Sequence, residues 1–104
     1  MPSVRTEYRL TPGAERDLEF IWLDTSEASG REQANGYTDD LANAFSQPAH
    51  NPKLGMRCED IRRGYRRFRV GRHVVYYRMS NFGIAVVRVL DKRMLQTRHL
   101  QGAT

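Results

Sequence analysis

The sequence holds one cysteine and two lysines, and these shortages limit the classes of protein to which it can belong. Cys58 has no second cysteine to pair with, so an internal disulfide and a cysteine-based zinc site are both excluded. No stretch of 18 apolar residues occurs, as a membrane-spanning helix would require. The first residues lead into alternating, strand-like positions and lack the apolar core of a signal peptide, so we expect a cytoplasmic protein.

Motifs for common enzymatic chemistry are also absent. His50, His73 and His99 are scattered along the chain without the HExxH spacing of a zinc protease. Neither a P-loop nor a GxGxxG sequence after a strand is present. Asp60, followed by Arg62, is more typical of an ordered loop than of a residue that activates water. We therefore predict no metal site, no cofactor and no dedicated catalytic residue.

Charge is distributed unevenly along the chain. Residues 1–56 hold five basic and nine acidic side chains, a balance of −4, whereas residues 57–104 hold twelve basic and three acidic, a balance of +9. Fifteen of the seventeen basic residues are arginine, whose rigid guanidinium group suits carboxylate and phosphate. The C-terminal half is therefore typical of a surface for an acidic partner, either a peptide or a nucleic acid.

Two helices are predicted in the acidic half of the chain. Apolar residues at helical spacing indicate helices over residues 12–26 and 30–47. Ser29 with Glu32 is the pattern of a capping box for the second helix, and Pro48 is expected to end it. The short connection predicts an antiparallel hairpin. A solvated acidic face is expected on its outside, formed by Glu15, Asp17, Glu19, Asp39 and Asp40.

Alternating segments outside the helices predict strands, and the segment rich in proline and glycine predicts a loop. The strands are expected near residues 5–10, 65–70, 73–80 and 84–90, and the loop over 48–64. We predict one domain over residues 1–104, with a tail from about residue 92. Its class is α+β, with a helical hairpin packed on one face of a small antiparallel β-sheet.

The segment GYRRFRVGRHVVYYR, residues 64–78, carries five arginines and the alternation of a β-hairpin. Gly71-Arg72 is a two-residue turn that pairs Val70 with His73 and Phe68 with Val75. In this register Phe68, Val75, Tyr77, Ala85, Val87 and Val89 pack against the helices. The opposite face is expected to lie open, and exposed apolar side chains among arginines usually mark an interaction site. The residues predicted to form this binding face are Arg67, Arg69, Tyr76, Arg78, Ile84, Val86 and Arg88.

Three segments together carry a family resemblance. They are YRLTPGAERDLEFIW near the start, IRRGYRRFRVGRHVVYYR in the middle, and GIAVVRVLDKRM followed by RHL near the end. Over about residues 6–100 the chain resembles the ParE branch of the RelE/ParE toxin superfamily, the toxins of type II toxin–antitoxin modules. The resemblance implies a helical hairpin on a small antiparallel sheet.

The same resemblance implies partners. ParE-like proteins inhibit DNA gyrase, and a ParD-like antitoxin covers the toxin with an extended and helical segment, so a hetero-oligomer is expected. The binding face above would contact the antitoxin, and Lys92, Arg93 and Arg98 would contact gyrase. Nucleic acid would be met only indirectly, through gyrase or the antitoxin.

An alternative function stays open at this point. RelE-like members of the superfamily cut messenger RNA on the ribosome, using basic residues of the open sheet face and a tyrosine near the C-terminus. Here such an endoribonuclease would use Arg67, Tyr76, Arg78 and Arg88. The scarcity of lysine, and the absence of any tyrosine after position 77, favour the gyrase inhibitor.

Overall fold

Two helices and five strands make up residues 7–92, the part of the chain that the structure, a computed structural model, describes. In chain order they are β1 (Glu7–Leu10), α1 (Pro12–Ser29), α2 (Arg31–His50), β2 (Met56–Arg57), β3 (Tyr65–Val70), β4 (His73–Ser80) and β5 (Gly83–Asp91). The sheet order is β1-β5-β4-β3-β2. All pairs are antiparallel except β1 with β5, so the sheet is mixed. The predicted α+β class, with a helical hairpin on one face of the sheet, is confirmed. The sheet is not the fully antiparallel one that was predicted, because β1 lies parallel to β5.

Both helices run longer than predicted. Ser29 is the last residue of α1 and not the N-cap of α2, so the predicted capping box is wrong. Gly30 alone separates the helices, with a φ of 91° that favours glycine, and its N–H donates to the Ser26 carbonyl. Pro48 lies inside the last turn of α2 and does not end it, because the helix continues to His50 and buries Pro48 against the core.

The predicted hairpin register is confirmed. Gly71 has a positive φ of 57° in the turn, and the structure pairs Val70 with His73 and Phe68 with Val75. Close approach of backbone explains a second glycine, at the start of β5. A Cβ atom at Gly83 would lie 2.0 Å from the Glu7 carbonyl oxygen, so any side chain there would push β1 away from β5.

The predicted facing of β5 is wrong over most of the strand. The β4–β5 register shifts between Tyr76, opposite Arg88, and Tyr77, opposite Val86, which leaves Val87 as an extra residue in a bulge. Ile84 and Val86 therefore lie in the core under the helices, and Val87 faces the other side. Apolar residues occupy both the odd and the even positions of this strand. Alternation alone therefore could not show which set faces the helices.

Two apolar clusters hold the described residues together, one on each face of the sheet. The larger one lies between the helices and the sheet, around Leu41, Phe45, Val75 and Tyr77. The smaller one lies on the outer face, the face away from the helices, where Cys58 and Ile61 pack on the sheet residues Tyr65, Val74, Tyr76, Val87 and Leu90. The sequence predicted that this face would lie open, with apolar side chains exposed among arginines. That prediction is wrong for the apolar part, which Cys58 and Ile61 cover.

The segment before β3, predicted as loop, contains the short edge strand β2 and is held by a buried tyrosine. The Tyr77 hydroxyl accepts the Gly55 N–H at 2.8 Å and donates to the Pro52 carbonyl at 2.7 Å. A Cβ atom at Gly55 would lie 2.6 Å from that hydroxyl oxygen, so only glycine fits. This contact fixes the position of β2 against β3.

Tyr77→Phe is expected to lower the free energy of unfolding by about 2 kcal/mol, because the Gly55 N–H and the Pro52 carbonyl both lose their partner. Chemical denaturation measures the change. Tyr8→Phe is the matched control, since the Tyr8 hydroxyl makes no hydrogen bond within residues 7–92, and we expect a change below about 0.5 kcal/mol. Equal losses for the two variants would show that the Tyr77 hydroxyl does not hold the segment.

Candidate functional site

The outer face presents arginines around its small apolar cluster. Arg67, Arg69 and Arg78 point away from the helices, as predicted, and Arg69 and Arg78 are exposed. Tyr76 shares their face but is only 1% exposed, so the prediction that it is accessible is wrong. Burial raises the pKa of the Tyr76 hydroxyl, an effect that a hydrogen bond from Arg67 partly offsets. Tyr76 is thus a neutral side chain within the cluster.

A groove of about 400 Å³ opens on this face and is called the basic groove below. Three cations line it, Arg67, Arg69 and Lys92, together with Met56, Phe68 and Val74. Met56 is 66% exposed, which adds an apolar contact at the rim. The groove brings together two residues predicted to bind the antitoxin and one predicted to bind gyrase. Arg78 lies farther along β4, opposite Tyr65, and does not line it.

Arg88 does not belong to this surface. Its Nε lies 2.7 Å from Asp17 Oδ2 and its second guanidinium nitrogen 2.9 Å from Oδ1, a paired contact to helix α1. Asp17 Oδ2 also accepts the Val89 N–H at 2.9 Å. The paired hydrogen bonds raise the pKa of Arg88. Asp17 is largely buried, so its predicted place on a solvated acidic face is wrong, as is the exposure predicted for Arg88.

The Asp17–Arg88 pair lies where the edge of β5 has no neighbouring strand among the described elements. Strand β1 pairs only with the first half of β5, and the start of α1 covers the second half. There the Thr11 hydroxyl donates to the Val87 carbonyl at 2.8 Å, and Asp17 accepts from Val89. The side chains of Asp17 in α1 and of Thr11, the N-cap of that helix, thus satisfy backbone groups that a neighbouring strand would otherwise bind. Arg88 neutralises the carboxylate that does so.

Ile84 and Val86, the aliphatic members of the predicted binding face, lie entirely in the core. Both contact the helical side of the sheet and are 0% exposed. The prediction that they are exposed is wrong, because the bulge in β5 reverses the facing expected from the hairpin. Of the predicted face, the structure leaves Arg67, Arg69 and Arg78 available to a partner.

A second groove, called the helix groove below, was missed by sequence reasoning. It has a volume of about 540 Å³ and lies between α1 and the end of β5, with Ile21, Val89 and Leu90 among its lining residues. Phe20 also lines it and is 67% exposed. Two large apolar side chains one turn apart on α1, Phe20 and Leu23, face solvent, which is unusual for a helix packed on a core. In the sequence, the sign of this groove is that these two apolar residues lie outside the set of apolar residues at helical spacing that predicts the buried side of the helix.

The two grooves open at the same end of the sheet. His73 lines the helix groove and its neighbour Val74 the basic groove, and Asp91 and Lys92 are divided in the same way. His73 is buried, and its Nδ1 is hydrogen-bonded to the Tyr37 hydroxyl. A single partner segment passing around this end of the sheet would contact in succession the helix groove, whose apolar lining also carries Asp17, Asp24 and Asp91, and the cationic basic groove.

No group of three or more histidine, cysteine or acidic side chains in residues 7–92 is placed to hold a metal ion. Burial raises the pKa of the Cys58 thiol, which lowers its reactivity as a nucleophile. Within the same residues, no helix has the length and apolar character needed to cross a membrane. Arg93 and Arg98, predicted to contact gyrase, lie outside the described residues.

The fold resembles that of a solved structure described as a chromosomal ParDE TA system from P. aeruginosa. The TM-score is 0.71, the sequence identity is 20%, and the match covers 86% of this chain and 98% of that chain. At this identity the likeness shows a shared fold.

Sequence comparisons define the family. Residues 8–96 match the family described as ParE toxin of type II toxin-antitoxin system, parDE. The chain is 42% identical over 96 residues to Toxin ParE1 of Mycobacterium tuberculosis, which covers 91% of this chain and 98% of that protein. It is 38% identical over 93 residues to Toxin ParE1 of Caulobacter vibrioides, with coverages of 89% and 96%. The chain belongs to the ParE toxin family.

Proposed function

We propose that this protein is a toxin that inhibits DNA gyrase, that it does so in the cytoplasm by binding the enzyme and stabilising cleaved DNA, and that a ParD-like antitoxin neutralises it. The action is stoichiometric binding without turnover by the toxin. The supporting observation is the basic groove, where Lys92 of the predicted gyrase-binding group lies with Arg67 and Arg69 of the predicted antitoxin-binding group. The family description, which names parDE, supports the antitoxin.

The chemistry of the two grooves indicates what the antitoxin segment must be. Carboxylates would pair with Arg67, Arg69 and Lys92 in the basic groove, and apolar side chains would fill the helix groove beside Phe20. Charge would chiefly speed association, whereas the buried apolar anchors would supply most of the affinity. An acidic and apolar segment wrapped around the end of the sheet meets both requirements and gives a hetero-oligomer of toxin and antitoxin.

Phe20→Asp is expected to weaken antitoxin binding at least tenfold, because it places a charge in the apolar part of the interface. Calorimetric titration with the cognate antitoxin measures the affinity. Met79→Asp is the control, since Met79 is 50% exposed and lines neither groove. Unchanged affinity of a folded Phe20→Asp variant would remove the helix groove from the antitoxin interface.

A shared groove implies direct competition between gyrase and antitoxin. Toxin held by the antitoxin would present neither Lys92 nor its neighbours to gyrase, so neutralisation would need no change in toxin conformation. Immobilised gyrase should therefore retain the free toxin and fail to retain the toxin–antitoxin complex. Capture of a ternary complex containing all three proteins would contradict competition for one surface.

The ribonuclease alternative loses two of its four residues, because Tyr76 and Arg88 are not free at the surface. It needs Tyr76 and Arg88 at the surface to move a proton and stabilise charge on RNA. Tyr76 is buried in the outer cluster, and Arg88 is paired with Asp17 on the opposite side of the strand. The gyrase proposal requires neither residue to be accessible.

A further inference from the structure

Most arginines of the outer face have no acidic partner. Within residues 7–92, the carboxylates that form ion pairs do so with Arg9, Arg57, Arg72 and Arg88. Five further arginines on or beside the outer face have no carboxylate oxygen within 4.0 Å in the described part of the chain. They are called the arginine face below and are Arg62, Arg63, Arg67, Arg69 and Arg78.

The fold holds these arginines on a rigid support. Arg67 and Arg69 lie two residues apart on the same face of β3, and Arg78 lies on β4 opposite Tyr65. The turn carrying Arg62 and Arg63 is tied down, because the Tyr65 N–H donates to the Arg62 carbonyl at 3.1 Å and the Cys58 N–H donates to the Tyr65 carbonyl at 3.0 Å. Concentrating unpaired positive charge in this way destabilises a fold by self-repulsion, so a ligand that neutralises it is expected.

The surface between the arginines helps to identify that ligand. The rings of Tyr65 and Tyr76 on this surface are buried, since the two residues are 8% and 1% exposed. Phe68, which lines the basic groove, is half-buried and packs edge-on against Tyr77, so no ring of this face within residues 7–92 is free to stack on an unpaired base, as binding of single strands usually requires. The part around Arg62, Arg63 and Arg78 also lies outside both grooves that offer apolar anchors to a protein partner. Charge without anchors or stacking rings suits the phosphate backbone of a duplex.

We infer that the arginine face binds the phosphodiester backbone of double-stranded DNA directly and without sequence preference. This differs from the expectation that the protein meets nucleic acid only through gyrase or the antitoxin. In a complex with gyrase it would place the toxin on the DNA that the enzyme has cleaved, a consequence that rests on the proposed function. An acidic antitoxin segment in the basic groove would cover Arg67 and Arg69 and weaken the DNA contact as well.

The test is fluorescence anisotropy of the full chain with a labelled 20-base-pair duplex, in the absence of gyrase and antitoxin. A dissociation constant on the order of 10 µM at physiological salt is expected. Contacts with about four phosphates predict that log K falls with log salt concentration with a slope of about −3.6. Two unrelated duplex sequences should bind equally, and a single strand more weakly. A duplex RNA of matched length shows whether the shared phosphate chemistry extends beyond DNA.

The decisive variant is Arg62→Gln/Arg63→Gln, which removes two exposed charges that line neither groove. DNA affinity should fall at least tenfold and the salt slope should become shallower by about 2, since each lost phosphate contact changes it by roughly 1. Antitoxin affinity should be unchanged, which also shows that the variant is folded. Arg9→Gln/Arg31→Gln removes the same charge from the acidic half and should leave DNA binding within about twofold of the wild type.

Three results would overturn the inference: no duplex binding at low salt, equal weakening by the two double variants, or stronger binding to a single strand than to the duplex. The outcome is separable from that of the proposed function. A chain that inhibits gyrase but binds no free duplex would refute the DNA contact alone. A chain that binds duplex through Arg62 and Arg63 but leaves gyrase active would refute the gyrase proposal alone.

Discussion

Asp17→Ala is expected to lower the free energy of unfolding by about 3 kcal/mol, because it breaks a largely buried ion pair. The substitution leaves Arg88 without its carboxylate, and it removes the acceptor of the Val89 N–H at the edge of β5. The side chains of Asp17 and Arg88 are 13% and 23% exposed, so solvent replaces little of the lost interaction. Urea denaturation of the wild type and of the Asp17→Ala variant measures the difference in the free energy of unfolding.

The control for this prediction is Asp24→Ala on the same helix. Asp24 is 54% exposed and lies 3.7 Å from Arg72, and such surface pairs contribute about 1 kcal/mol or less. A double-mutant cycle with Arg88→Ala should show coupling, since removing both charges costs less than the sum of the single losses. Additive effects in the cycle, or equal losses for Asp17→Ala and Asp24→Ala, would contradict the account of this pair.

Arg93→Ala/Arg98→Ala is expected to abolish gyrase inhibition, raising the toxin concentration needed for half-inhibition at least tenfold. The two residues follow Lys92, which is exposed in the basic groove, and they continue the positive charge of the C-terminal half. Arginine at such a contact pairs with carboxylate or phosphate through two hydrogen bonds, and alanine provides neither the charge nor the donors. A supercoiling assay with purified gyrase measures the change.

Matched charge loss is the control for the tail variant. Arg9→Ala/Arg31→Ala removes two exposed arginines from the acidic half, lowers the net charge equally, and should inhibit gyrase as the wild type does. The thermal unfolding midpoint of both variants should stay close to that of the wild type, because exposed charges contribute little to stability. Full inhibition by a folded Arg93→Ala/Arg98→Ala variant would exclude the tail as the gyrase contact.

Local signals in the sequence were sufficient for the hairpin and for the class of the fold. Gly71 with Arg72 specifies a two-residue turn, and that turn alone determines which residues of β3 and β4 face each other. The helices follow from apolar residues at helical spacing, although their ends do not. Gly30 ends α1 later than the Ser29–Glu32 pattern suggests, because a capping pattern also fits the interior of a longer helix.

The parts of the site that sequence reasoning missed depend on contacts distant in the chain. The bulge at Val87 reverses which residues of β5 face the helices. Because both the odd and the even positions of this strand are apolar, the local sequence carries no sign of the bulge. The contact of Arg88 with helix α1 could be assigned only by knowing that Asp17, 71 positions earlier, lies beside it. The helix groove is likewise formed between α1 and the end of β5. The spacing of apolar residues along the chain does not show that these two elements lie side by side.

The most direct test of the central claim is to add the purified wild-type protein to gyrase and supercoiled DNA and to follow cleaved DNA. We expect cleaved DNA to accumulate in proportion to toxin, to saturate near one toxin per binding site, and to disappear when the cognate antitoxin is added in equal amount. Translating ribosomes treated in parallel should keep their messenger RNA intact. Unaffected gyrase together with cleavage of ribosome-bound messenger RNA would contradict the account and establish the ribonuclease in its place.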